Sequence, residues 1–135
     1  MFIVVERATV ILVAEDDVVV RNLINTVLTR CGYSLLLACD GLEAIKISRG
    51  YTGKIDLLLS DITMPRLDGL ELVKQLRDER PGLKALLISG RTSSEVARGN
   101  TSFDFLAKPF LPAALKGRIE AILAGDPKDE AVDTV

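Results

Sequence analysis

The residues able to do chemistry in this chain are almost all acids, with one hydroxyl and one lysine placed to join them. Glu15-Asp16-Asp17 follows the apolar run TVILVA, Ser60-Asp61 closes IDLLLS, Ser89-Gly90 closes KALLIS, and Lys108-Pro109 follows FDFLA. If those runs are parallel strands, their carboxyl ends form the ligand edge of an open α/β sheet. Each residue also has an ordinary structural reading. Asp17 reads as the N-cap of the first helix, Asp61 as another cap, Ser89 as a turn residue and Lys108 as a solvated lysine. The conjunction of four strand ends argues for more. Two like charges ~4 Å apart repel by about 4 kcal/mol at an effective dielectric of 20. Clustering Glu15, Asp16 and Asp61 therefore calls for a cation, and oxygen donors without His or Cys point to Mg²⁺, with Mn²⁺ as an alternative. A metal, a spare carboxylate, a hydroxyl and a lysine are the parts for phosphoryl transfer to a carboxylate. Asp61 is then the nucleophile, Glu15 and Asp16 hold the metal, and Lys108 and Ser89 hold phosphoryl oxygens.

The elements that must position these groups are legible from the apolar pattern. Thr9–Ala14, Ser34–Cys39, Ile55–Ser60, Lys84–Ser89 and Phe103–Ala107 are short apolar runs. Three of them are nearly continuous, as parallel strands covered on both faces are. Val20, Leu23/Ile24, Val27/Leu28 and Cys31 recur at helical spacing, with Gly32 able to close that helix. Asp68 with Glu71 gives an N-cap pair ahead of Leu70, Val73 and Leu76, and Arg80-Pro81-Gly82 stops that helix. Pro112 suits the first turn of a last helix carrying Leu115, Ile119 and Ile122, with Gly125 beyond its end. Gly117 inside that helix has no evident reason. The span Gly90–Ser102 leaves room for only a short fourth helix before the last strand.

Composition narrows the function classes. The chain has 135 residues, 48% of them apolar, enough for one buried core. Lys and Arg number 17 against 19 Asp and Glu, a formal −2, which argues against a basic nucleic-acid stripe or a polybasic membrane surface. Histidine is absent, excluding Ser-His-Asp and Cys-His catalysis and any phosphohistidine on this chain. Cys31 and Cys39 read as two reduced thiols in a cytoplasmic protein. No apolar run approaches the roughly 20 residues that span a bilayer. Met1–Val5 lacks the charged flank of a signal peptide. We expect an extension over 1–7, one domain over 8–124, and an acidic tail or linker stub over 125–135, where the last ten residues carry four acids and one lysine.

These residues together resemble a known family. ILVAEDD with Arg21 following, LLLSDITMPRLDGLEL, LLISG and FLAKPF are similar to the motifs of the response-regulator receiver domain of two-component signalling, over roughly residues 8–124. The resemblance implies a flavodoxin-like, three-layer α/β sandwich, its five-stranded parallel sheet ordered 2-1-3-4-5 with helices on both faces. It implies that Asp61 accepts a phosphoryl group from a phosphohistidine of a sensor histidine kinase or phosphotransfer domain. Glu15, Asp16, Asp61 and the Thr63 backbone carbonyl then serve Mg²⁺. Met64-Pro65 and Asp68-Gly69 shape the following loop, and Lys108-Pro109 is the family's cis peptide. Ser89 closes on the phosphoryl group and Phe105 turns into the vacated space, switching a partner-binding face.

The implied protein is a phosphoacceptor rather than an enzyme, with at most slow self-dephosphorylation. From the charge balance we expect no direct nucleic-acid binding and no membrane association, while a homodimer stays open. Ser89 stands where Thr is commoner and Gly90 where Ala is frequent, and the short fourth helix puts the family's usual helix-four dimer face in question. That short segment also resembles receivers attached to hybrid sensor kinases. Other classes fit less well. A haloacid-dehalogenase-like hydrolase needs a DxD and a cap insertion, a flavin binder needs a Ser/Thr/Gly-rich loop after the first strand, and an inert scaffold need not keep the full set.

Overall fold

The computed structural model describes residues 7–90 and 104–125. Five strands and, among the described residues, four helices follow in order: β1 (Val10–Ala14), α1 (Val18–Arg30), β2 (Ser34–Ala38), α2 (Gly41–Gly50), β3 (Leu57–Asp61), α3 (Gly69–Glu79), β4 (Lys84–Ser89), β5 (Asp104–Ala107) and α4 (Pro112–Leu123). All strand pairs are parallel, and the sheet order is β2-β1-β3-β4-β5. The flavodoxin-like α/β architecture expected from the sequence is the one observed. The expected short fourth helix, the expected start of the last strand at Phe103, and the expected acidic tail beyond Gly125 fall outside the described residues.

The apolar pattern explains the layering. Every residue of β1 and β3, and all of β4 after Lys84, is buried, whereas the edge strands β2 and β5 are half-buried over most of their length. Side chains alternate across the sheet. Leu12, Leu58 and Leu87 pack with Ala44 and Ile45 of α2 and with Leu72, Val73 and Leu76 of α3. Ile11, Val13, Leu57, Leu59, Leu86 and Ile88 pack with Ile24 and Leu28 of α1 and with Leu115, Ile119 and Ile122 of α4. Two cores on one sheet fix its register, because a one-residue slip would exchange them.

The helix ends follow their local chemistry. Asp17 caps α1, its carboxylate accepting from the amides of Val19 and Val20. Gly32 adopts φ +93° just past that helix, the left-handed conformation expected there. Asp68 caps α3 by accepting from the Glu71 amide. Pro112 opens α4. A Cβ at Gly117 would meet nothing, and nothing in the structure explains that glycine. The start of α2 has a signal in the sequence: Asp40 accepts from the Glu43 amide while the Glu43 carboxylate accepts from the Cys39 amide, a reciprocal cap.

Candidate functional site at the carboxyl edge of the sheet

Hydrogen bonding beyond the strands carries the chain into the site. Glu15 N donates to Ala38 O, Ile62 N to Ile88 O, and Lys108 N to Ser89 O, so the residues after β1, β3 and β5 stay tied to neighbouring strands. Glu15, Asp61 and Ser89 are buried, an unusual state for two carboxylates and one that demands partners. Oxygen atoms of Glu15, Asp16 and Asp61 lie within 4.8 Å of one another. Asp16 is exposed at the mouth of the cluster.

One ammonium serves the buried pair. Lys108 Nζ donates to Asp61 Oδ2 at 2.8 Å and lies 3.3 Å from Glu15 Oε1. Burial works against the lysine's charge, but the hydrogen bond to Asp61 and the two carboxylates outweigh it and raise its pKa. Glu15 shows the opposite balance. Burial first, and the charge of Asp61, push its carboxyl up to about 7, against the Asp17 amide and Lys108. Glu15 Oε2 accepts from that amide, whereas Oε1 is buried without a hydrogen bond among the described residues. A divalent cation fits this arrangement. It would engage the orphaned Oε1, balance three clustered carboxylates of which Lys108 touches two, and find only hard oxygen donors.

The loop after β3 is shaped around Asp61. Thr63 N donates to Asp61 Oδ1 at 3.2 Å, and Gly69 N donates to Ile62 O at 2.7 Å. A Cβ on Gly69 would collide with the Asp61 carbonyl oxygen, so only glycine closes this loop. Met64 is buried in the core under α2 and α3, while Pro65 is exposed. The Lys108–Pro109 bond is cis, as the sequence motif suggested. Ser89, the last residue of β4, neighbours Ala107 of β5, and Phe105 stands beside Leu87, half-buried against the α2/α3 core. The fold thus brings the expected Glu15, Asp16, Asp61 and Lys108 into one cluster, with Thr63 and Ser89 alongside. Phe105 lies two residues back along β5.

Two participants, Arg66 and Asp40, were not singled out from sequence, and Arg21 was named there only as part of a motif. Arg21 donates to the Glu15 carbonyl at 2.8 Å and fastens α1 to the end of β1. Arg66 and Asp40 form an ion pair at the loop's far side. Arg21 falls six positions from its acceptor, and Arg66 and Asp40 are 26 positions apart, so only the fold joins the latter two.

Comparisons with known proteins bear on the family of this fold. Residues 11–120 match the family described as the response regulator receiver domain. The chain is 39% identical over 128 residues to the response regulator MprA of Mycobacterium leprae, covering 93% of this chain and 55% of that protein. It is 34% identical over 119 residues to the sensor kinase CckA of Brucella abortus, covering 86% of this chain but 12% of that kinase. Among solved structures, the receiver domain of the hybrid histidine kinase CckA superposes with a TM-score of 0.73 at 36% identity, covering 84% of this chain and 98% of that one. The chain therefore spans about half the length of one curated relative and a small part of the other.

Proposed function

Because the chain belongs to the response-regulator receiver family, we propose that Asp61 is its phosphoacceptor, taking a phosphoryl group from a phosphohistidine on another domain. The observation that carries this reading is the contact of Lys108 with both Asp61 and Glu15, beside Asp16, with a buried Glu15 oxygen left without a hydrogen bond among the described residues. An Asp61 carboxylate oxygen attacks phosphorus, the O–P bond forms as the imidazole N–P bond breaks, and the released imidazole takes a proton from solvent. The product is an acyl phosphate. Lys108 neutralises Asp61 before transfer and a phosphoryl oxygen after it. Glu15, Asp16, Asp61 and the Thr63 carbonyl would hold Mg²⁺ or Mn²⁺, which supplies positive charge to the phosphoryl oxygens when bound.

The donor comes from elsewhere because the chain has no histidine. Val18 and Val19 of α1 and Leu111 ahead of α4 are 54%, 73% and 73% exposed at the edge that carries Asp61. They offer a kinase or phosphotransfer domain an apolar rim beside the acceptor. After transfer, the Ser89 hydroxyl donates to the phosphoryl group and Phe105 shifts, the response of a two-state element to new charge-assisted contacts. Turnover is limited to slow self-dephosphorylation. No described helix is long and apolar enough to cross a membrane.

The test is uptake of beryllofluoride with Mg²⁺, followed by ¹⁹F NMR. Wild type should show a bound resonance that Asp61→Ala loses. A bound signal in both proteins, or in neither, rejects Asp61 as the acceptor.

A further inference from the structure

The segment that follows Asp61 is held in a backbone shape its own sequence disfavours. Arg66 has φ +70°, the positive φ among the described non-glycine residues. Leu67 N donates to Pro65 O at 2.8 Å, closing a three-residue turn on Arg66. The left-handed form of this turn is rare and strained, and glycine would adopt it more readily. Something outside the turn must hold it.

Two contacts with the start of α2 do so. Arg66 Nη2 donates to Asp40 Oδ2 at 2.6 Å, and the Asp40 side chain is 10% exposed. The other oxygen, Oδ1, accepts from the Glu43 amide at 2.8 Å and caps α2. One buried carboxylate therefore fixes a helix start and a loop at once. Beside it, the Leu67 carbonyl oxygen and side chain lie 3.0 Å from where a Cβ of Gly41 would stand. Glycine at 41 lets the loop lie directly on the helix.

An exposed ion pair adds little to stability, and the Arg66 side chain is 66% exposed. Stability alone does not account for an arginine in a conformation that suits glycine. The pair also ties the backbone that runs from Thr63 to Leu67 to the start of α2. Thr63 opens that stretch, and its amide already touches Asp61 Oδ1. We propose that Arg66, acting through Asp40, is a positioning residue for the Thr63 backbone, setting the affinity of the Asp61 site for its divalent cation. The proposal rests on the phosphoacceptor reading above.

The test combines Mg²⁺ titration calorimetry with thermal melts in the absence of metal. Arg66→Gly relieves the strain of the turn and removes the pair that ties it to α2. Asp40→Asn keeps the helix cap, since Asn caps as well as Asp, but removes the charge. Each variant should melt close to wild type, Arg66→Gly at or above it, yet bind Mg²⁺ about tenfold more weakly, the scale of a ligand-orienting partner. The double variant should be no weaker than either single, because both break one contact. Arg66→Lys should recover most of the affinity. In metal-free Asp40→Asn, the Thr63 amide resonance should move.

Wild-type affinity in Arg66→Gly, additive losses in the double variant, or affinity that falls only in step with melting temperature overturns the positioning role. So does an unmoved Thr63 amide. A wild-type protein that binds no Mg²⁺ rejects the phosphoacceptor reading and this role together, whereas wild-type binding with unaffected variants rejects this role alone.

Discussion

Strand β3 has an aspartate at each end, and the two are treated in opposite ways. Asp56, just before the strand, accepts two hydrogen bonds from Arg7 at 2.9 and 2.8 Å and one from the Val10 amide at 2.8 Å. Those bonds, led by Arg7, hold its carboxyl below the usual aspartate range. Asp61, the last residue of the strand, shares a single ammonium with Glu15, whose carboxyl is pushed up to about 7. One end of the sheet satisfies its carboxylate with protein groups, and the other keeps an unmet demand for positive charge. A fold stabilises itself at the first kind of site and works at the second.

The largest effect that sharpens this contrast is functional. Asp61→Asn should abolish labelling by acetyl phosphate in Mg²⁺, while Asp56→Asn should label like wild type; equal labelling of the two variants breaks the comparison. Gly69→Ala comes next, because the added methyl meets the Asp61 carbonyl and the loop must move. Urea unfolding should show a loss of about 3 kcal/mol, and an unchanged midpoint would mean the loop is not closed in this way.

Glu15→Gln should act in the opposite direction on stability, because it removes a buried charge crowded by Asp61. Without metal it should gain about 1 kcal/mol and bind Mg²⁺ far more weakly. A destabilised variant would show that Glu15 is as well satisfied as Asp56. The smallest effect belongs to Asp56→Asn, a melting temperature lower by about 2 °C at neutral pH. The folded pKa of Asp56 is depressed. Its stabilisation is therefore present above the ordinary aspartate pKa of about 3.9 and lost as pH falls through the depressed value. The gap between wild type and Asp56→Asn should close on acidification below about pH 4, and a gap that persists there removes the ion pair as its cause.

The ends of β3 also divide what sequence reveals. Glu15, Asp61, Ser89 and Lys108 each follow an apolar run, and runs of TVILVA and LLLSD type announce buried parallel strands. Strand ends in such a sheet meet at one edge, so the cluster was legible without coordinates. The helix caps at Asp17 and Asp68 were legible for the same reason, being local. The Arg7–Asp56 pair spans 49 positions and Arg66–Asp40 spans 26, and no periodicity links such residues. The need for glycine at 69 is likewise hidden, since it arises from the Asp61 carbonyl folding back over the loop. Motif resemblance marked Gly69; the collision explains it.

The central claim is that the unmet charge at the carboxyl end of β3 makes Asp61 the residue that is phosphorylated. Its most direct test is chemical. Wild-type protein is treated with acetyl phosphate and Mg²⁺, the acyl phosphate is reduced with borohydride to homoserine, and the modified position is found by peptide sequencing in a mass spectrometer. The account predicts homoserine at position 61, with Asp16, Asp56 and Glu15 unmodified. Reduction product at any of those three, or at no position, contradicts it.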